Sequence, residues 1–437
     1  MTSAPGALTP WAWPGSNTPR TTAQIVPAML SDSYAPLRRP AFRRFLTCAQ
    51  ALTLANQVLA ITAGYHLYDL THSAWSLLLV GLMSYLPILL FSLPAGWAAD
   101  HFDRRKVLAF TLCLHLASSI SLLALVLLGG PEWPWYPLLF LAATSRAFHS
   151  PSAVSLYPLL IEPGEMPRAV SWNSANYQAG AIVGPILGGL LLHQFGVTGA
   201  ITFVAAGPVL YLSLLPGLVL LRYPPTPLVE PLKDKVLKGF KFVWNDKAIC
   251  GALSVDFVAV LFGGVEGILP MFQKDILHCG PLGLGFLRAA MFVGALMMSF
   301  FLAHRPPMRK PGKTMLACVG GFGLCMLCFA ASRNLYLSLV ALIAAGMFDQ
   351  VSVLVRQTLV QMRTPEALRG RVQAVNFLFI GSSNELGEVE SGLTAGLLGP
   401  VGSVLLGGVA VLAIVSIWAV TFPALRDLPS LGARDKP

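Results

Sequence analysis

Apolar positions in this chain run together in stretches of about twenty instead of alternating as in a half-buried strand, and each stretch closes on a short polar break. Such runs demand helices, because lipid offers backbone N–H and C=O groups no partner beyond the helix itself. The windows predict twelve transmembrane helices at roughly 45–70, 75–99, 107–129, 136–161, 174–195, 199–221, 248–272, 285–304, 314–331, 335–360, 374–398 and 401–424. Gly, Pro or a polar residue interrupts several of them. An even number puts both termini on one side of the membrane.

Basic residues decide which side. Of the 30 Lys and Arg, 25 fall in the terminal segments and alternate connections on one face, while the opposite connections hold only Lys274, Arg288 near a helix end, and Arg333. That bias marks the first face as cytoplasmic. It also accounts for the net charge of +10, so no nucleic-acid partner is implied. Composition agrees with a membrane protein: 55% of residues are hydrophobic and 11% charged, against roughly 25% charged in soluble domains. The expected class is all-α integral membrane.

Around the helices the chain divides into five parts. Residues 1–40, rich in Pro, Ser, Thr and Ala, read as a disordered cytoplasmic tail without a signal-peptide core. Residues 41–222 carry the first six helices, 248–425 the second six, and 426–437 a short cytoplasmic tail. Between the halves, 223–247 opens on Pro224-Pro225 and Pro227; Leu232, Val236, Phe240 and Val243 then recur at helical spacing, with Lys233, Lys235, Lys238 and Lys241 on other faces. This predicts an amphipathic helix on the cytoplasmic surface.

An internal repeat supports the division into two six-helix halves. Glu165-Met166-Pro167-Arg168, between the fourth and fifth helices, recurs as Glu366-Ala367-Leu368-Arg369 between the tenth and eleventh, 201 positions on. The same offset carries Arg104 onto Arg305.

Between the second and third helices the segment Gly96-Trp97-Ala98-Ala99-Asp100-His101-Phe102-Asp103-Arg104-Arg105-Lys106 packs two acids and three bases into a very short loop. With twelve helices in two halves, it resembles the major facilitator superfamily motif G-x-x-x-D-R-x-G-R-R/K. Gly96, Asp100, Arg104 and Arg105 match; His101 replaces the first Arg of the motif and Asp103 its Gly. The resemblance covers almost the whole chain and implies the major facilitator fold. Phe262-Gly263-Gly264-Val265-Glu266-Gly267-Ile268-Leu269-Pro270, Gly280-Pro281-Leu282-Gly283-Leu284-Gly285 and Leu368-Arg369-Gly370-Arg371-Val372 are similar to the branch that holds the enterobactin exporter and macrolide efflux proteins. In the superfamily the loop acts as a cytoplasmic latch, a role carried here onto Gly96, Asp100, Arg104 and Arg105. The 201 offset puts Phe301 where Asp100 stands in the first half, so a second-half latch is expected to be weaker or absent.

The fifth helix holds Gly180-Ala181-Ile182-Val183-Gly184-Pro185-Ile186-Leu187-Gly188-Gly189, small residues that permit close helix approach and a proline that permits bending. Its Gly-Pro-x-x-Gly-Gly core resembles the superfamily's antiporter motif, with Trp172 standing where an earlier Gly is expected. That implies export.

Charges inside the helices are candidates for function by default, since each costs several kcal/mol in hydrocarbon unless it meets a cavity or a partner. Glu385 and Glu388 share one face of the eleventh helix, with Glu390 on another. Asp256 and Glu266 lie in the seventh helix, Asp349 and Arg356 in the tenth, and Arg146 and His149 in the fourth. Asp256, Glu385, Glu388, Asp349, Arg146 and Arg356 are the candidates for proton coupling; the bland alternative is a structural pairing of Arg356 with Asp349 two turns away or with a carboxylate on another helix. Glu266 reads as solvated near the outer end of its helix. Tyr65, Tyr177 and Phe257 are the aromatic candidates for substrate contact.

Cys325-Met326-Leu327-Cys328 lies inside a predicted helix, and Lys310-Pro311-Gly312-Lys313-Thr314 lacks the leading Gly of a phosphate loop, Pro307 standing in its place. No metal, cofactor or enzymatic activity is expected. The leading expectation is a secondary active transporter of a bacterial cytoplasmic membrane, monomeric, exporting a small amphipathic siderophore or drug-like molecule against protons. An importer or lysophospholipid flippase of the same fold is the alternative; a receptor or membrane enzyme is remote.

Overall fold

The computed structural model describes residues 33–221, 232–306, 308–365 and 368–428, and they are helical almost throughout. The first half comprises α1 (Pro40–Thr71), α2 (Ala74–His101), α3 (Arg104–Leu127), α4 (Trp135–Leu156) and the long α5 (Met166–Leu214). A connecting helix α6 (Leu232–Asn245) leads to α7 (Lys247–Gly263), α8 (Pro281–Ala303), α9 (Pro311–Ala331), α10 (Leu335–Arg363) and the long α11 (Arg369–Thr421).

Local chemistry explains the boundaries. Pro40, Pro281 and Pro311 open their helices at positions where a missing N–H costs nothing. Ser73, Asp103, Asp246 and Asn334 cap α2, α3, α7 and α10 through side-chain oxygens that accept backbone N–H groups. Asp103, the departure from the family motif, thus serves α3 by accepting from the Arg105 N–H at 2.8 Å.

Nine helices among the described residues are long and apolar enough to cross a membrane. Two of them are double. In α5 the chain reverses at Gly196 (φ 63°), so that Gly180 on one arm and Gly207 on the other both meet α1 near Thr53 and Ala55. In α11 it reverses at Gly399 (φ 75°), and Thr394 and Ser403 face each other across the turn at 2.7 Å. Left-handed φ at both corners favours glycine. Dividing these two gives eleven apolar segments among the described residues; α4, which carries Arg146 and His149, stands at the place of the remaining expected one but is less apolar.

Two expected helices are interrupted. The segment 136–161 leaves α-helical geometry at Leu156 and continues as one 3-10 turn, Tyr157–Leu160, because Pro158 has no N–H to carry the ladder on. The segment 248–272 breaks after Gly263: Gly264 is extended, and short turns through Glu266–Ile268 and Phe272–Ile276 follow. Two adjacent glycines and Pro270 make a continuous helix there costly.

The halves meet at the end of the bundle away from α6, called here the far end. One apolar core spans both halves there, joining Leu67, Leu77 and Leu192 of the first to Phe272, Leu284 and Phe329 of the second. A separate core of Phe42, Phe45, Leu108, Leu156, Tyr211 and Leu218 belongs to the first half alone, at the opposite, basic end. Among the described residues, the basic end shows ion pairs inside each half: Arg39 with Glu162 (2.6 Å) and Glu165 (2.7 Å), and Arg363 with Asp246 (3.1 Å). The connecting helix α6 packs Gly239 onto the Arg371 backbone of α11, with Phe240 and Trp244 stacked and exposed. The expected tail 1–40 up to residue 32, the prolines at 224–227, Glu366, Ala367 and the stretch 429–437 lie outside the described residues, as do the side chains of Lys233, Lys235 and Lys238.

Candidate functional site

Glycines let α1, α5 and α8 approach closely enough to shape a cavity between the halves. A Cβ on Gly184 would lie 2.6 Å from the Gln57 Cβ of α1, and one on Gly188 would lie 2.5 Å from Ile61. Gly189 faces the other way: its Cβ would lie 2.6 Å from the Pro281 carbonyl of α8, where Gly285 in turn meets Pro185. The motif Gly180, Gly184, Pro185, Gly188, Gly189 therefore has one face packed within its half and another that joins the halves.

Below this crossing, toward the basic end, lies a cavity of about 380 Å³ lined by Gln57, Arg146 and Tyr177 of the first half and Glu266, Arg288, Phe292, Asp349, Asn384 and Glu388 of the second. A second pocket continues it toward the far end along Asn56, Ser84, Arg146, Glu266, Arg288 and Glu388. Arg288 is the centre of the charges. Its guanidinium lies 3.6 Å from Glu266 and 3.6 Å from Glu388, so one cation faces two carboxylates supplied by different helical segments. Arg146 donates to the Ser84 carbonyl of α2 at 3.3 Å.

Arg288 and Glu266 both sit differently from the sequence expectation. Starting α8 at Pro281 instead of 285 puts Arg288 two turns inside the helix and not at its edge; Gly280-Pro281, a helix-opening pair, was the signal. The break after Gly263 swings Glu266 onto Arg288, where it is part of the cavity wall and not simply solvated.

A deeper polar network lies within the second half. Arg356 Nε of α10 is 3.3 Å from Asp256 Oδ2 of α7, and both side chains are almost fully buried. Ser352 Oγ donates to Asp256 Oδ1 at 3.0 Å, and Arg356 donates to Asn376 Oδ1 of α11 at 3.1 Å. Arg356 thus takes its partner across helices. Asp349 lines both the main cavity and a small pocket beside Asp256 and Ser352, linking the two sites.

Of the other expected residues, Tyr177 is in the cavity wall, Phe257 packs against Phe379 and Tyr65 against the shared core. The side chains of Asp100 and Glu385 lie outside the described residues. Around the expected latch, Gly96 has open space where a Cβ would be, and Arg105 donates to the Leu218 carbonyl within its own half. In the second half Arg305 stacks over Phe301, 4.7 Å from the ring centre.

Residues 31–434 match the model of a family described as transmembrane secretion effector. The chain belongs to this family of the major facilitator superfamily. Among curated relatives, the enterobactin exporter EntS of Escherichia coli (strain K12) is 26% identical over 411 residues, covering 91% of this chain and 96% of EntS. A bacterial homologue of the human lysosomal transporter Spinster, inward-facing and occupied, superposes with a TM-score of 0.66 at 15% identity, over 92% of this chain and 99% of that one. A D-xylose–proton symporter gives 0.65 at 13% identity, over 87% and 97%. At such identities the structural likeness is one of fold. This facilitator is a multi-pass membrane transporter.

Proposed function

We propose that this facilitator exports a small amphipathic molecule, a siderophore or drug-like compound, in exchange for protons, working as a monomer in a bacterial cytoplasmic membrane with both termini inside. Arg288, held at 3.6 Å by both Glu266 and Glu388 in a cavity shared by the halves, carries the reading. One guanidinium cannot fully satisfy two carboxylates in a poorly solvated site. A proton arriving on either acid cancels one of the charges that hold Arg288, so a proton and a cationic or hydrogen-bond-donating substrate group compete for the same two carboxylates. That competition is what exchange requires. Arg146, across the cavity, supplies a second cationic contact, and Tyr177 and Phe292 offer apolar surface.

With the basic end in the cytoplasm, a closed far end makes this the inward-facing state. The segment 96–106 then acts in the opposite state: open space at Gly96 is filled, and Asp100 with Arg104 and Arg105 finds partners, when the basic ends come together. The similarity to an exporter of enterobactin supports outward transport of a catechol-bearing siderophore.

Inverted membrane vesicles with an imposed inside-acid proton gradient are expected to accumulate iron-free enterobactin, and to stop when the gradient is collapsed. Uptake by right-side-out vesicles down an inward proton gradient would instead make the protein an importer.

A further inference from the structure

Two four-residue segments close the far end, one ending α1 and one ending the short turns that follow α7. Asp69-Leu70-Thr71-His72 and Asp275-Ile276-Leu277-His278 share the spacing Asp-x-x-His, 206 positions apart. Both histidines adopt the left-handed conformation, with φ of 49° at His72 and 48° at His278. Among the described residues these are the non-glycine positions with positive φ. Such residues are uncommon, so a matched pair marks equivalent ends of the two halves.

Polar contacts cross between these ends in the same register. Tyr68, which precedes Asp69, donates its hydroxyl to Asp275; Lys274, which precedes Asp275, pairs with Asp69. Each aspartate therefore accepts from the residue preceding its counterpart, and the four side chains form a two-fold clasp between the halves. Its arms differ in environment. Tyr68 is 3% exposed, with its ring in the shared core, whereas the Asp69 and Lys274 side chains keep 47% and 29% of their surface. The first arm is a charge-assisted hydrogen bond from a fixed donor; the second is softened by water and salt. Asp275 is itself exposed, so separation returns both aspartates and the lysine to water and strands no buried charge.

We propose that Tyr68, Asp69, Lys274 and Asp275 are the positioning residues of an outer gate, which hold the far end shut in this state and part when the substrate leaves. The inference rests on the alternating-access reading above and adds to it the residues that close the outer side. Closure at this end is carried by a reversible polar clasp laid over the close α5–α8 crossing, in which Gly189 and Gly285 bring the backbones together.

The test uses the full chain with its seven native cysteines replaced, in lipid nanodiscs, and spin-label distances. Labels at Leu70→Cys and Gly280→Cys report the far end; the first side chain is exposed and the second position has open space around a Cβ. Labels at Val170→Cys and Met362→Cys, both exposed, report the basic end of opposite halves. Losing one charge-assisted hydrogen bond is expected to raise the ratio of long to short far-end distances by roughly a factor of ten in Asp275→Asn. Lys274→Asp is expected to do the same, and the exchanged pair Asp69→Lys with Lys274→Asp to restore the short distance. Single variants that leave the far-end distances unchanged, or an exchange that fails to restore them, would overturn the clasp. Far-end distances that respond while the basic-end pair never closes in step support the clasp and overturn alternating access instead.

Discussion

Arg356 on α10 and Asp256 on α7 face each other at 3.3 Å with side-chain exposures of 3% and 7%, inside the second half and away from the first. Two charges taken this far from water are held by more than their mutual attraction: Ser352 and Asn376 each add a hydrogen bond. Arg288, by contrast, is 13% exposed and sits between two carboxylates at distances too long for hydrogen bonds. The first arrangement is built to persist; the second is built to change partners.

Asp256→Asn is therefore expected to destabilise the protein by about 3 kcal/mol, the low end for stranding a buried charge, because Asp349 lines the neighbouring pocket and offers partial compensation. The double variant Asp256→Asn with Arg356→Gln is expected to recover most of that loss. Thermal unfolding in detergent measures both. If the double variant is stable and behaves like the natural protein in the vesicle assay, the pair is structural and the proposed coupling lies at Glu266, Glu388 and Arg288.

The two halves are expected to respond unequally at their basic ends. Arg105 is bonded within the first half, whereas Arg305 stacks on Phe301 at the equivalent place in the second, where the repeat puts no acid opposite Asp100. Asp100→Asn is predicted to lower vesicle transport by roughly tenfold, the loss of one charge-assisted contact in a single state. Arg309→Gln is predicted to change it less than twofold. Equal effects would remove the asymmetry.

The contrast between what was legible and what was not is physical. The breaks near 196–198 and 399–400 follow from where two apolar windows end, and segment length from hydrocarbon thickness, whereas the positive φ at Gly196 and Gly399 that turns the chain belongs to the folded structure. Hydropathy misplaces Arg288 and Glu266 because each depends on a helix boundary set elsewhere by the fold, Pro281 in place of 285 and Gly263 in place of 272. Arg356 could be marked as buried, but its choice of Asp256 over Asp349 is fixed by how α7 and α10 pack, which no single-helix pattern carries.

The ion pair that ties the start of α1 to the loop after α4 reads out through pH. The Arg39 guanidinium hydrogen-bonds Glu165 and holds its carboxyl below the usual carboxylate range. A depressed folded-state value means the contribution is present above the unfolded value, about 4.3, and is lost as pH falls through the folded one. The stability gap between the natural protein and Glu165→Gln is thus expected to be constant well above the unfolded value and to shrink as pH falls through the folded one. A gap that widens on acidification would mean that Glu165 is not held by Arg39.

Gly184 and Gly189 sit five residues apart on one arm of α5, yet the same substitution is expected to act on different equilibria. A methyl at Gly184 enters α1 at Gln57 inside the first half, a contact kept in every state that half adopts as a rigid unit. Gly184→Ala should cost about 1–3 kcal/mol of stability, seen in thermal unfolding, with little change in the balance of states. A methyl at Gly189 meets the Pro281 carbonyl across the interface, a contact present only while the far end is shut. Gly189→Ala should leave the unfolding temperature near its natural value and move the far-end spin-label distances toward the open state, because the strain is relieved by parting the halves. Identical behaviour of the two variants would mean that the α5–α8 crossing does not open, and that the glycine motif serves packing alone.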